Sequence, residues 1–397
     1  MLNSDLGNFM KKIKSIMSCL LCSCLLFTSG CSSTKVIQEA TYSIENAFGT
    51  MSAEDANWHD VTSPVKIESV STDRYAYNTL NDGEKAIYDQ MLNCVENYME
   101  SVSLSTVTED AVMHSYKAMM ADYGELFWLS GYTFQKYTID DEPAGIIFIP
   151  TYTKSEEEKK DLSIKIDAAA DAILSDCDAD DDYGKAKYIY EYLGNHCEYN
   201  EAAIENQNIL SVLIYGSSVC QGFSVTAQYL LSKVGIQACT ITGHAGDVPH
   251  AWTLMKLDGN YYYMDSTWSG STYDDGSSGG IKYINYNYFA LTEKDFDLKH
   301  TPSDIIDLPT ADSMDDNYYV KEGLYITDWN ENSIGNLLGN AYSNGNKVFT
   351  LRFSDENLYN QFLSTFIQNG KITSYCSGIQ QISYQADQGL HTVTCRF

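Results

Sequence analysis

Basic residues are scarce in this chain: Lys and Arg total 25 against 54 Asp and Glu, a net charge of −29 over 397 residues. That balance argues against nucleic acid, or an anionic membrane face, as a partner held by charge, because both need a basic surface. The acid surplus reads first as a solvated surface that keeps an extracellular protein soluble, and second as an attraction for basic substrates. There is no Gly-rich phosphate loop, which excludes nucleotide handling through one, and no internal repeat or heptad run that would build a solenoid or coiled coil. Metal ligands are thin as well. Cys239, His244 and His250 form the only nearby trio for zinc, without a fourth ligand and at irregular spacing, so neither a metal nor another cofactor is expected. The apolar run Ile16 to Phe27 falls short of a membrane-spanning helix.

What the chain does have is a cysteine at the start of a helix. After Cys220-Gln221-Gly222, the apolar residues Phe223, Ala227, Leu230, Leu231 and Val234 recur with a 3.6-residue period, and Gly235 ends the run. A cysteine in the first turn lies among unpaired backbone N–H groups at the positive end of the helix dipole, which favours the thiolate. The same N–H groups can hold the oxyanion that forms when a thiolate attacks an acyl carbon.

A hairpin supplies two further groups. His250 to Leu257 runs into Asp258-Gly259, a two-residue turn signal, and Asn260 to Asp265 returns. If that turn is the whole loop, Leu257 pairs with Asn260, Trp252 faces Asp265 and His250 faces Thr267. His250 and Asp265 then share a face as diagonal neighbours, about 7–8 Å apart before their side chains reach toward each other. Each residue alone has a plainer reading, as an inert buried thiol or a hydrogen-bonded strand residue. Together they form the order nucleophile, base, orienter. His244 and Asp247 read as loop residues beside this site, since Gly243, Gly246 and Pro249 punctuate the segment.

From Tyr215 to Trp268 the motifs Val219-Cys220-Gln221-Gly222-Phe223, Gly243-His244, His250-Ala251-Trp252 and Tyr263-Met264-Asp265-Ser266-Thr267-Trp268 resemble the core of the transglutaminase-like superfamily. The resemblance extends upstream through Tyr183 to Tyr190 and Cys197-Glu198-Tyr199-Asn200, and downstream to Asp297-Leu298-Lys299-His300. It implies a papain-like fold in which Cys220 is the nucleophile, His250 the base and Asp265 the third member. Gln221, Gly222, His244, Trp252 and Trp268 would lie in the vicinity of the substrate. Many relatives have Pro after the Asp, where this chain has Ser266; the change alters the local backbone and removes no reacting group. Active members share an acyl-thioester step that water or an amine completes. Nothing here resembles the calcium sites and β-sandwich domains of the animal cross-linking enzymes, so hydrolysis of a peptide, protein or cell-wall peptide is expected over acyl transfer. A silent fold used for binding or structure is the alternative.

The N-terminus suggests an address. Lys11, Lys12 and Lys14 precede the apolar run, and Thr28-Ser29-Gly30-Cys31 follows it, a pattern similar to a bacterial lipoprotein signal. On that reading residues 1–30 are removed, Cys31 carries lipid into the bilayer, and the protein sits outside the cytoplasm, at the bacterial cell surface or in the periplasm. An ordinary secretory peptide or an uncleaved anchor gives the same side of the membrane. Cleavage takes away three lysines and one aspartate and moves the net charge from −29 to −31. Residues 31–73, polar and acidic, would be a tether. Six cysteines remain besides Cys31 and Cys220 beyond the first forty residues, which permits disulfides; Cys376 and Cys395, on adjacent C-terminal strands, are the best pair, whereas Cys94 reads as a buried thiol on a helix face.

The expected fold class is α+β, with helices packed on an antiparallel sheet in a papain/transglutaminase-like core at 151–305. An N-terminal α+β cap spans 74–150 and a small α+β accessory domain spans 310–397. Ser269 to Gly280, rich in Gly, Ser and Asp, reads as a mobile loop at the rim of the site.

Overall fold

A computed structural model describes residues 64, 66–69, 71–139, 142–273, 280–379 and 382–397. The expected signal segment, Cys31 and residues 31–63 of the expected tether lie outside the described residues. The last part of that tether belongs to the folded body: Ser69 Oγ donates to Asp89 (2.8 Å), and the buried Ser71 shares a hydrogen bond with Tyr123 (2.9 Å). Among the described residues no helix is long and apolar enough to cross a membrane.

Capping chemistry starts the helices. Asn81 and Glu84 close a reciprocal box on helix Asp82–Glu96, and Ser155 and Glu158 do the same for helix Glu156–Ser175. The first of these packs with helix Glu109–Asp122 beside a three-stranded sheet of β1 (Val102–Leu104), β3 (Glu142–Tyr152) and β2 (Leu129–Ile139), in that order. Asp122 ties the cap together from inside: its buried carboxylate accepts from the N–H groups of Ala76 (2.9 Å) and Tyr77 (2.8 Å) and from Tyr88 (3.1 Å).

Next come helix Asp182–His196, a short parallel pair β4 (Glu198–Tyr199) and β5 (Ser217–Ser218), and helix Cys220–Lys233. Gly235 takes φ +84° just past that helix, as the left-handed stop requires. The Cys220 helix packs on β6 (Ala238–Ala245) and β7 (Val248–Leu257) of a four-stranded antiparallel sheet ordered β11-β6-β7-β8, with β8 at Asn260–Met264 and β11 at His300–Pro302. This is an α+β arrangement. One hydrophobic core runs through the cap and this sheet, from Tyr75 to Ala311.

Two expectations change here. His244 lies in strand β6, paired with Pro249, and the turn is Gly246-Asp247; the ladder to β7 continues through Gly243, so that glycine is not punctuation. A Cβ at Gly243 would meet the Thr301 carbonyl oxygen at 2.1 Å, so its absence lets β11 lie against β6. Part of the expected rim loop is strand: Gly270–Tyr273 (β9) pairs with Ile281–Ile284 (β10), while 274–279 lie outside the described residues.

The C-terminal region has its own core around Ile334, Leu338, Phe353, Phe362 and Val393. Its sheet runs β12 (Tyr325–Ile326), β13 (Val348–Phe353), β15 (Thr392–Arg396), β14 (Ser383–Asp387). It is fastened to the first core by Lys299 with Asp387 (2.8 Å), Arg352 with Asp295, and Asn287 with Thr392 (3.1 Å). The described cysteines are all free thiols; Cys395 is on β15, but Cys376 follows a helical turn at Lys371–Ser374 rather than lying on a strand, so the expected pair does not form.

Candidate active site

Cys220 is the first residue of its helix, entered through Val219 in extended conformation. The first helical bond runs from Phe223 N–H to Val219 O (3.2 Å), which leaves the N–H groups of Cys220, Gln221 and Gly222 without a partner in the helix. Gly222 is needed for this start: a Cβ there would sit 1.9 Å from Ser218 Oγ. Cys220 is buried, 8% exposed, and its sulfur is among the groups that act on the His250 imidazole.

The β7–β8 hairpin brings up the other two groups. Asp258 and Gly259 both take positive φ (46° and 93°), as a two-residue turn matched to strand twist demands. Pairing follows the expected register from Leu257 with Asn260 to Thr253 with Met264, then stops. Asp265 therefore does not pair with Trp252, nor His250 with Thr267. The chain leaves the strand because Asp265 N–H turns to Tyr288 O (2.9 Å) while its Oδ1 accepts from Thr267 N–H (3.0 Å), opening a 3₁₀ turn at Ser266–Trp268. From that turn Asp265 Oδ2 accepts from His250 Nε2 at 2.8 Å. Nδ1 is thereby the ring nitrogen left for Cys220.

The electrostatics follow from burial and pairing. Burial opposes a charge on His250, but the Asp265 carboxylate and the Cys220 sulfur outweigh it and push the imidazole up to about 10. Burial works to raise Asp265, yet the charge and hydrogen bond of His250, with those of His300, bring it down to about 2. His250 stabilises the fold fully below its ordinary value of 6.5, and that contribution is lost as pH rises through about 10. Asp265 contributes fully above 3.8, and its share is lost as pH falls through about 2. Asp265→Asn is therefore expected to lower the urea midpoint most between the ordinary values of the two groups and to flatten both pH limbs. Urea midpoints from acid to alkaline pH check this; parallel profiles for the two proteins would mean that the pair contributes nothing.

The remaining expected neighbours divide. Trp268 stacks on His250, ring centroids 5.4 Å apart and 27° between planes. Gln221 lines a cavity of about 360 Å³ between its helix, residues 123–130 and the segment 205–208. Trp252 is not at a substrate surface: it is fully buried, beneath His250 and against Phe296. His244 is exposed and, by strand alternation, points away from the face that holds His250.

One residue was missed. His300, on β11, is buried with its Nε2 3.1 Å from Asp265 Oδ2, the oxygen that also binds His250. It ends the motif Asp297-Leu298-Lys299-His300, which was the available signal. Among the described residues His250, Asp265 and His300 are also the group whose ligand atoms converge within 4.8 Å, so they, and not Cys239 with His244, are the set that could meet on an ion. Such an ion would take the lone pairs and the carboxylate that the hydrogen bonds use.

Residues 170–266 match the model of the transglutaminase-like superfamily. The human kyphoscoliosis peptidase is 23% identical over 167 residues, 36% of this chain and 25% of that protein, so the chain spans about a quarter of that relative's length. Among solved structures, a TGase aligns at 16% identity with a TM-score of 0.25, covering 43% of this chain and 60% of its own. A candidate cysteine protease from Cytophaga hutchinsonii aligns at 14% identity with a TM-score of 0.24, covering 34% of this chain and 62% of its own.

Proposed function

We propose that this chain, whose residues 170–266 match the model of the transglutaminase-like superfamily, is a thiol enzyme acting on peptide or amide bonds through Cys220, His250 and Asp265. The observation that carries the reading is the 2.8 Å bond from His250 to the buried Asp265 carboxylate, on an imidazole whose charge is also favoured by the helix-start Cys220 sulfur. The Cys220 sulfur attacks the amide carbon and forms a C–S bond, while the unpaired N–H groups at the helix start face the developing oxyanion. His250 gives its proton to the nitrogen as the C–N bond breaks and the amine leaves. Water then attacks the thioester, His250 takes a proton from it, and the C–S bond breaks to return the thiolate and a carboxylic acid. Asp265 stays ionised and holds the ring.

Hydrolysis is favoured over transfer to an amine, and the relative named a peptidase supports that choice. The same reading puts the enzyme outside the cytoplasm, held to the bilayer by lipid on Cys31, with a peptide, protein or cell-wall peptide as substrate. Its support is the sequence of residues 1–31.

The test is product identity. Wild type and Cys220→Ala are incubated with a peptide library in ¹⁸O water containing a primary amine, and products are read by mass spectrometry. New carboxylates carrying ¹⁸O, made by wild type alone, are expected. Amine adducts made by wild type alone would replace hydrolysis by transfer. Turnover that survives in Cys220→Ala, or is absent from both, overturns the enzyme as proposed; the second result leaves the fold as a binding module.

A further inference from the structure

Asp265 has more partners than a simple orienting carboxylate needs. Its Oδ1 accepts from Thr267 N–H (3.0 Å), and its Oδ2 accepts from two imidazoles, His250 (2.8 Å) and His300 (3.1 Å). The second imidazole comes from 35 residues further along the chain, on the edge strand β11. Its position is over-determined. β11 pairs His300 with Ala245, and Thr301 and Pro302 continue the ladder along His244 and Gly243. The ring stacks on Phe296 at 3.8 Å and 17°, and its Nδ1 faces Phe296 O at 3.3 Å. The ring of Trp268, which stacks on His250, lies 4.7 Å from that of His300 between centroids.

From these contacts we infer that His300 is a positioning residue for the reaction, donating from Nε2 to Asp265 Oδ2 so that the carboxylate stays ionised and its second lone-pair direction is aimed at His250. The inference rests on the proposed thiol chemistry. The physical reason lies in the shared oxygen. With Oδ1 held by Thr267 N–H alone, a single imidazole on Oδ2 leaves the carboxylate some rotation about Cβ–Cγ and leaves a proton in the pair free to settle on either group. A second charge-assisted donor on that oxygen restricts the rotation and penalises a proton on Oδ2, since that proton would displace one of the two ring N–H bonds. His250 then keeps one orientation, with Nδ1 toward Cys220. Gly243 belongs to the same device, because only a residue without Cβ lets the Thr301 carbonyl pass and brings β11 close enough for His300 to reach.

A purely structural role predicts something different. His300 sits among Phe296, Trp252, Trp268 and Tyr288, so it could be an aromatic filler whose hydrogen bond is incidental. Two substitutions separate these roles. His300→Phe keeps the stacked ring and loses the donor; His300→Gln loses the ring and keeps an N–H that reaches to about the Nε2 position.

The experiment measures kcat and KM on the substrate found for wild type, the rate of Cys220 alkylation by iodoacetamide from acid to alkaline pH, and thermal stability of each folded protein. His300→Phe is expected to lower kcat by about 10- to 100-fold at unchanged KM, the range for losing one hydrogen bond to a charged group. It should also displace the pH profile of Cys220 alkylation. His300→Gln should recover most of kcat and restore the profile. Wild-type kcat and an unmoved alkylation profile in His300→Phe would overturn the inference while the thiol-enzyme reading stands. Recovery by Phe and failure by Gln would overturn it in favour of packing. If wild type itself turns nothing over, the function reading fails, and the alkylation profile still decides whether His300 acts on the Cys220–His250 pair.

Discussion

Cys220→Ala is expected to reduce turnover by about 10⁴-fold or more, because removing the nucleophile leaves only binding and the oxyanion donors. The fold should barely register the change: the side chain is small, and the helix that carries it is held by Phe223, Ala227, Leu230 and Leu231. On the proposed chemistry the thiol is expected to react selectively. Burial pushes Cys94, Cys197 and Cys395 up to about 12 each and raises Cys239 and Cys376, so none of these five offers much thiolate near neutral pH. The half-buried Cys177 is the competing thiol. Limited iodoacetamide at neutral pH, followed by peptide mass spectrometry, should modify Cys220 about tenfold faster than any of these, and His250→Ala should remove that advantage. Equal labelling of Cys220 and Cys177, or a Cys220 rate indifferent to His250→Ala, would sink the assignment of the pair.

Much of this site was legible because local rules fixed it. The period of Phe223, Ala227, Leu230 and Leu231 requires a helix whose first residue is Cys220, and Asp258-Gly259 requires the tight turn that sets the register of β7 on β8. What escaped depended on contacts between distant segments. Strand β8 ends one residue before Asp265 because Tyr288, far along the chain, captures the Asp265 N–H. His300 lies on a three-residue strand containing Pro302, a pattern that reads as loop until Gly243 is seen to clear a path for it. His244 was misplaced for a related reason: two glycines and a proline signalled a loop, while pairing of β6 to both β7 and β11 extends the strand through that segment.

The family resemblance placed Trp252, in the motif His250-Ala251-Trp252, in the vicinity of the substrate. Its environment is instead the floor of the site, with His250 at 6.2 Å, His300 at 5.2 Å and Phe296 at 5.3 Å between ring centroids. Trp252→Ala should therefore lower stability by about 3–5 kcal/mol, the range for emptying a large aromatic site in a core. The indole carries a contrary contribution, since its Nε1 is buried with no hydrogen-bond partner. Leaving such a donor unsatisfied disfavours the fold by about 1–3 kcal/mol. Trp252→Phe removes that donor while giving up part of the ring volume, so the two effects oppose and a net change within about 1 kcal/mol is expected. Urea unfolding followed by far-UV circular dichroism, which does not depend on the indole, measures both. A Phe variant as destabilised as the Ala variant would mean that the Nε1 proton has a partner. An Ala variant within about 1 kcal/mol of wild type would mean that Trp252 does not support the floor on which His250 and His300 rest.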